Sequence, residues 1–281
     1  MQESNNLQVD IQKWWETNPM KYDWRKTLRH EEGTLEFYQE IDQRFFTAAW
    51  FAHSAGEEAF SKLIEYPRLR GKRVLEIGCG AGAITAQLAR NGAVVTAIDL
   101  TPRAIALTQR RFELLGLPGD IRQMDAEQLE FADETFDFVW SWGVIHHSAN
   151  TEDIIGEMHR ILKKDGEARI MVYHRNSMNF WIGLILIRGL LFGGLLRSSI
   201  QDLCNKHSDG LIAKYYTCNQ LRAEFQKDFH EVKTEIYGQK SDIWQIPGSK
   251  FKDILVGATP NSLALWLTRR FGGFLFVRAI K

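Results

Sequence analysis

Arg73-Val74-Leu75-Glu76-Ile77-Gly78-Cys79-Gly80-Ala81-Gly82 is the stretch that decides the fold. A short apolar run ending in closely spaced glycines reads as a buried parallel strand turning into a helix. Ala81 to Arg90 suits that helix, with Asn91-Gly92 as its stop. Ala93 to Ile98 reads as a second strand ending at Asp99, and Thr101-Pro102 opens the next helix, which runs to about Leu115. A weaker third strand covers Ile121 to Met124, and a fourth covers Phe136 to Trp140. The segment Thr151 to Leu162 puts Ile154, Ile155, Met158, Ile161 and Leu162 on one helical face. Lys163-Lys164-Asp165-Gly166 reads as a turn into a fifth strand, Ala168 to Tyr173.

This alternation implies right-handed crossovers and a parallel sheet. Further on, a helix is expected near Asn219 to Phe229, a strand at Glu231 to Tyr237 and a last strand at Phe274 to Ile280. The short return from Arg270 to Lys281 makes the last pair antiparallel. The expected fold class is therefore α/β: a Rossmann-like doubly wound sheet, mostly parallel with an antiparallel last strand, plus an N-terminal helical cap and an apolar helical insertion. The chain divides into a cap (1–70), a Rossmann-like core (71–175), the insertion (176–218) and the remainder of the sheet (219–281). The cap shows no strand pattern and breaks at Asn18-Pro19 and near Glu32-Gly33.

At 281 residues and 44% hydrophobic content, a sizeable core is available. Lys+Arg and Asp+Glu are both 35, which removes the global electrostatic case for a nucleic-acid partner. Cys79, Cys204 and Cys218 form no CxxC pair and read as reduced thiols. Met1 to Asp10 is polar, without a signal-peptide apolar core, so a cytoplasmic protein is expected. Trp14, Trp15 and Trp24 lie close together in the cap. They read either as a hydrophobic anchor for an extra helix or as a lid over a ligand.

A glycine-rich turn between strand and helix lets backbone N–H groups approach a ligand. Alone it is ambiguous, because Gly78-Cys79-Gly80-Ala81-Gly82-Ala83 also satisfies the dinucleotide pattern GxGxxA. Asp99, at the end of the second strand, suits ribose hydroxyls in either cofactor family. Glu76 inside the first strand and Asp125-Ala126-Glu127 after the third complete a more specific set. In this order and spacing, residues 72–174 resemble the class I S-adenosylmethionine (SAM)-dependent methyltransferases, in particular the small-molecule branch of quinone biosynthesis.

That resemblance implies SAM as cofactor and S-adenosylhomocysteine as product. It implies that Gly78, Cys79 and Gly80 line the methionine and ribose, and that Asp99 holds the ribose with Leu100 on the adenine. Asp125 and Ala126 would meet the adenine edge, Ser141 and Trp142 would border the sulfonium end, and Glu76 would order the loop. Bases are sought beyond the carboxyl ends of strands four and five, where open α/β sheets bind ligands. His147, with His146 beside it, and the pair Tyr173 and His174 stand at those places. His147, His174 and His207 could be combined into a metal site, but no compact ligand spacing marks one.

Phe180 to Leu196 is nearly all apolar but carries Arg188 and four glycines. A membrane span needs about 20 apolar residues, and a central Arg is costly there. The segment reads instead as a lid over a greasy substrate chamber, a peripheral membrane contact flanked by Arg175, Arg197 and Lys206, or a homodimer interface. The expected function is methyl transfer to a small lipophilic molecule, O-methylation first, with N- or C-methylation as variants. A nucleotide-cofactor oxidoreductase and a non-catalytic SAM-binding scaffold are the rivals.

Overall fold

In the computed structural model residues 2–20, 22, 27–246 and 250–281 are described, so Trp24 lies outside the described residues. One sheet organises the chain. Its strands are β1 (Arg73–Ile77), β2 (Val94–Asp99), β3 (Asp120–Gln123), β4 (Phe136–Trp142), β5 (Leu162–His174), β6 (Tyr215–Tyr216), β7 (Glu231–Tyr237) and β8 (Phe274–Ile280). Their order is β3-β2-β1-β4-β5-β8-β7, with β6 alongside β5. β8 runs antiparallel to both β5 and β7, as the sequence led us to expect for the last strands, while β1 to β5 pair in parallel. The chain leaves β3 at the sheet edge and returns as β4 beside β1. That reversal is the topological switch point, where ligands of open α/β sheets bind.

Strand alternation separates two cores. Val74, Phe138, Trp140, Met171 and Phe276 pack on one face, with α4 (Ala83–Arg90). Leu75, Val139, Ile170, Val172 and Val277 pack on the other, with α6 (Thr151–Ile161) and α8 (Cys218–Phe225). Successive side chains of a strand point to opposite faces, so each strand contributes to both.

Before the sheet come α1 (Gln2–Thr17), α2 (Leu35–Ala48) and α3 (Ser61–Ile64), with no strand among the described residues there. Thr34 caps α2 by accepting from Phe37 N at 3.3 Å, satisfying one of the unpaired N–H groups of the first turn. The buried face of α2 is Phe37, Tyr38, Ile41 and Phe45. It locks onto α5 (Pro102–Leu115), where Tyr38 Oη donates to Leu107 O at 2.7 Å. There the buried Arg111 also forks onto the Asp42 carboxylate at 2.8 and 2.9 Å. A planar guanidinium suits that bidentate geometry.

Several local expectations need correcting. β4 continues through Ser141 and Trp142, so both lie in the strand rather than beyond it. Lys163-Lys164-Asp165-Gly166 does not separate α6 from the fifth strand, because β5 already begins at Leu162. The register against β4 shifts between Phe136 and Phe138, and Asp165 takes φ +61°, so the stretch is a bulge within the strand. Tyr215-Tyr216 is a short strand on β5, and α8 ends at Phe225.

The apolar segment winds as a π-helix over Asn179–Leu191, closing with an i→i+5 bond from Phe192 N to Ile187 O at 3.0 Å. Long π-helices are rare, and π geometry concentrates at functional sites. α7 (Ile200–His207), α9 (Lys250–Ala258) and α10 (Asn261–Phe271) were not anticipated from the sequence.

Candidate active site

The turn after β1 is held by two bonds to β2: Gly78 N and Cys79 N donate to Ile98 O at 2.8 and 3.0 Å. Gly78 and Gly80 have φ of +77° and +56°, the left-handed region that side chains disfavour. Gly80 N donates to Asp99 Oδ2 at 3.0 Å, while Thr101 N and Oγ1 donate to Asp99 Oδ1 at 3.0 Å each. Burial raises the Asp99 carboxyl above its usual range, and these donors oppose that shift. Glu76 is buried beneath the turn and accepts from Thr85 Oγ1 on α4. Burial in the strand pushes its pKa up to about 8, which favours the protonated form at neutrality.

These groups open onto one cavity of about 760 Å³, within the range of ligand sites. Of the residues singled out in the sequence, Glu76, Gly78, Cys79, Gly80, Asp99, Leu100, Asp125, Ala126, Trp142, His147 and Tyr173 line it. Ser141 and His174 do not. Ser141 Oγ is turned to Ile77 O at 3.2 Å, and His174 Nδ1 meets Gly272 O at 2.9 Å on the far side of β5. His146 also stays out of the wall. Its ring packs at 4.1 Å from both His147 and Tyr173, and both ring nitrogens lack a partner among the described residues.

The residues present fit SAM. A Cβ built on Gly80 meets nothing within 4 Å, so the bare turn leaves room for a ligand to approach the backbone. Asp99 Oδ1 is taken by the two Thr101 donors, while Oδ2 accepts only Gly80 N and keeps a lone pair for a ribose hydroxyl. Asp125 Oδ1 is taken by Gln8 Nε2 at 2.9 Å and Glu127 N at 3.0 Å, which leaves Oδ2 to accept from a ligand amino group.

Comparison with known proteins agrees with this geometry. The family described as a methyltransferase domain matches residues 75–170. A phosphatidylethanolamine N-methyltransferase of Cereibacter sphaeroides is 36% identical over 40% of this chain and 60% of its own. A ubiquinone biosynthesis O-methyltransferase of Rhizobium rhizogenes is 35% identical over 38% of this chain and 43% of its own. The chain thus spans about half the length of these curated relatives. The crystal structure of an S-adenosylmethionine-dependent methyltransferase from Mesorhizobium loti superposes with a TM-score of 0.53 at 16% identity, covering 81% of this chain and 99% of that one. Residues 75–170 of this chain match a methyltransferase domain, on a fold shared with SAM-dependent methyltransferases. The domain's cofactor is SAM.

The N-terminal helical cap lies directly on the residues expected to meet the cofactor. Gln12 Nε2 donates to Leu100 O at 2.8 Å, Gln8 reaches Asp125, and Glu16 accepts from Arg103 N at 3.1 Å. Trp15 lines the cavity with its ring edge-on to His147 at 5.2 Å, whereas Trp14 packs against Trp15 at 4.7 Å outside it. One tryptophan is therefore part of the lid and the other its anchor. The sequence reading missed Gln8 and Gln12, because a glutamine in an amphipathic helix carries no signal of what it faces.

Beyond the cofactor turn, the wall is built from distant segments. His147 Nδ1 contacts Ile212 O at 2.6 Å, so that nitrogen carries the hydrogen and Nε2 keeps the lone pair. Burial lowers the pKa of His147 to about 4. Tyr173 Oη donates to Asp209 Oδ2 at 3.3 Å, and Asp209, Tyr215, Arg188 and Asp242 join the lining. Asp209 lies between α7 and β6, in the polar run Asn205-Lys206-His207-Ser208-Asp209-Gly210. Among the described residues no group of three or more His, Cys, Asp or Glu side chains is arranged to hold a metal ion.

The buried acid beneath the turn gives a measurable consequence. SAM carries a sulfonium and an ammonium, which favour an ionised Glu76, so binding at pH 7 should release close to one proton (about one, given a starting pKa near 8). Calorimetric binding enthalpies in buffers of different ionisation heat should differ accordingly, and the difference should vanish in Glu76→Gln. A buffer-independent enthalpy in the unmodified protein excludes the coupling. In the ligand-free fold the raised pKa also sets the sign of the stability profile. Glu76 contributes full stability below its ordinary 4.5, and that contribution is lost as pH rises to about 8.

Proposed function

We propose that the protein transfers the methyl group of SAM to a hydroxyl of a small lipophilic molecule. The observation that carries this reading is the continuity of the cavity. It runs from Gly80 and Asp99 past His147 and Tyr173 to Leu184 and Ile187 of the π-helix. The zone around His147 and Tyr173 is thereby followed by a chamber in which Leu184, Ile187 and Phe192 stand beside Arg188, Asp242 and Lys252, which suits an acceptor with both apolar and polar parts. The relatives named above, one for phosphatidylethanolamine and one for ubiquinone biosynthesis, support an acceptor of lipid character.

Bound SAM supplies a methyl carbon activated by positive sulfur. The protein's work is to align the acceptor and to take its proton. His147 is the base in this reading: Nδ1 is tied to Ile212 O, which fixes the ring and leaves Nε2 to accept. Tyr173, whose hydroxyl is oriented by donating to Asp209, borders the acceptor beside His147. Trp15 and the π-helix exclude water from the site.

Incubating the protein and labelled SAM with a cell extract should place label in a solvent-extractable product. SAM binding without any labelled product would leave a non-catalytic binding protein as the better reading. The base assignment has its own test. The acid limb of kcat/KM should fall near pH 4 rather than 6.5, because the lowered pKa keeps His147 neutral above that value. His147→Ala should remove that limb and lower kcat by about 100-fold or more, with SAM affinity within a few-fold of the original. A collapse of SAM affinity instead makes His147 a wall of the cofactor site.

A further inference from the structure

Large apolar side chains from several segments stand in solvent around the mouth of the cavity. After the π-helix begins to turn, Leu191, Phe192 and Leu196 are 71%, 77% and 90% exposed. On α9, Phe251 and Ile254 are 62% and 65% exposed, and no residue of α9 is buried. Trp266 adds a half-exposed ring on α10.

The segments adjoin. Gln245, in the stretch leading towards α9, donates to Asn179 Oδ1 at the start of the π-helix, and Trp244 Nε1 donates to Thr259 Oγ1 beyond the end of α9 at 3.0 Å. Ile187, Arg188 and Phe192 from the π-helix side, and Ile246 and Lys252 from the α9 side, line the same cavity. Both segments, which carry the most exposed of these side chains, thus also build the wall of the cavity. A monomeric soluble protein rarely leaves large apolar side chains clustered in water without a partner for them.

Charge says what kind of partner. Across residues 179–200 and 250–271, Arg188, Arg197, Lys250, Lys252 and Arg270 stand against the single acid Asp253, with Arg269 paired to Glu235 of β7 at 3.8 Å, although the whole chain carries no net charge. A second copy docked through the same face would set these cations against each other. A bilayer with anionic headgroups instead complements both the apolar side chains and the cations. No helix among the described residues is long and apolar enough to cross a membrane, so the contact is with its surface.

We propose that this face docks on anionic phospholipid bilayers and turns the cavity mouth towards the lipid, so that the acceptor enters from the membrane. The docking follows from the surface itself, and the route of entry rests on the lipophilic acceptor proposed above. Flotation with phosphatidylcholine vesicles, with and without phosphatidylglycerol, tests it in the absence of SAM and acceptor. The protein should float with the anionic vesicles and far less with the neutral ones.

The combined variant Leu191→Ser, Leu196→Ser, Phe251→Ser and Ile254→Ser removes apolar groups that do not line the cavity. It should lose vesicle partitioning at least about tenfold while binding SAM as before. Arg197→Glu with Lys250→Glu should weaken binding to the anionic vesicles selectively. Equal partitioning of the variant and the original protein, or no partitioning of either, overturns the proposal. So does a concentration-dependent dimer in sedimentation velocity that the four-fold variant abolishes, since a second copy would then cover the face. Transfer of label to a detergent-dispersed acceptor is measured separately, so failure of the docking and failure of the methyl transfer are distinguishable.

Discussion

Asp99→Ala is expected to lower SAM affinity by about two to three orders of magnitude. The Asp99 carboxylate does two jobs, organising the turn through Gly80 N and Thr101 while keeping acceptor capacity towards the cavity. A hydrogen bond to a charged acceptor contributes about 1.5–3 kcal/mol, up to about two orders of magnitude in affinity, and a ribose hydroxyl would make one on Oδ2. Removing the group also leaves the Gly80 N–H without its acceptor, which loosens the turn. Asp99→Asn should fall between, because its amide retains one acceptor but presents a donor where Gly80 N–H or Thr101 already donates. Titration calorimetry reads the affinity and thermal melting checks the fold. An alanine variant that binds SAM within about tenfold of the original would falsify the ribose-holding role.

Gly78→Ala should damage the fold itself. The added Cβ would lie 2.2 Å from Val144 Cγ2, in a backbone with φ +77°. The left-handed conformation costs about 1–2 kcal/mol and the overpacking about 1–3 kcal/mol more, so a loss of about 3 kcal/mol is expected. For a chain of this size that lowers the melting temperature by roughly 6–10 °C. Adding Val144→Ala should restore the steric part and not the conformational part.

Gly80→Ala is the informative contrast. Its Cβ meets nothing within 4 Å, so it should melt within a few degrees of the original yet lose SAM binding, because the methyl group enters the space kept for the ligand. If Gly78→Ala melts unchanged, the close approach of the turn to Val144 is not a constraint on the fold.

The two glycines show how far sequence reading reached. That both belong to a strand-to-helix turn is legible from the apolar run before them and the helix after. That one is required by Val144 and the other by the ligand is not, since Val144 arrives from β4. The same division runs through the candidate bases. Tyr173 and His174 are neighbours on β5, and the pleat sends them to opposite faces, so only one of them meets the cavity. Sequence supplied the pair and could not supply the register. Ser141 and Trp142 divide in the same way: Trp142 lines the cavity and Ser141 turns to Ile77 O.

What the sequence determined by itself is local and periodic. The apolar run Val74–Ile77, the glycines after it, the Thr101-Pro102 helix start and the acids at Asp99 and Asp125 are sufficient for the fold class and the methyl donor. Hydrophobic period, turn chemistry and capping act within a few residues of the chain, so they can be read from it. Tertiary structure decided everything that depends on long-range packing. It laid Gln8 on Asp125, set Asp209 against Tyr173, inserted β8 between β5 and β7, and left α9 with no buried residue. Those contacts join residues far apart in the chain, and which side chains meet there follows from strand register and helix docking rather than from any local pattern.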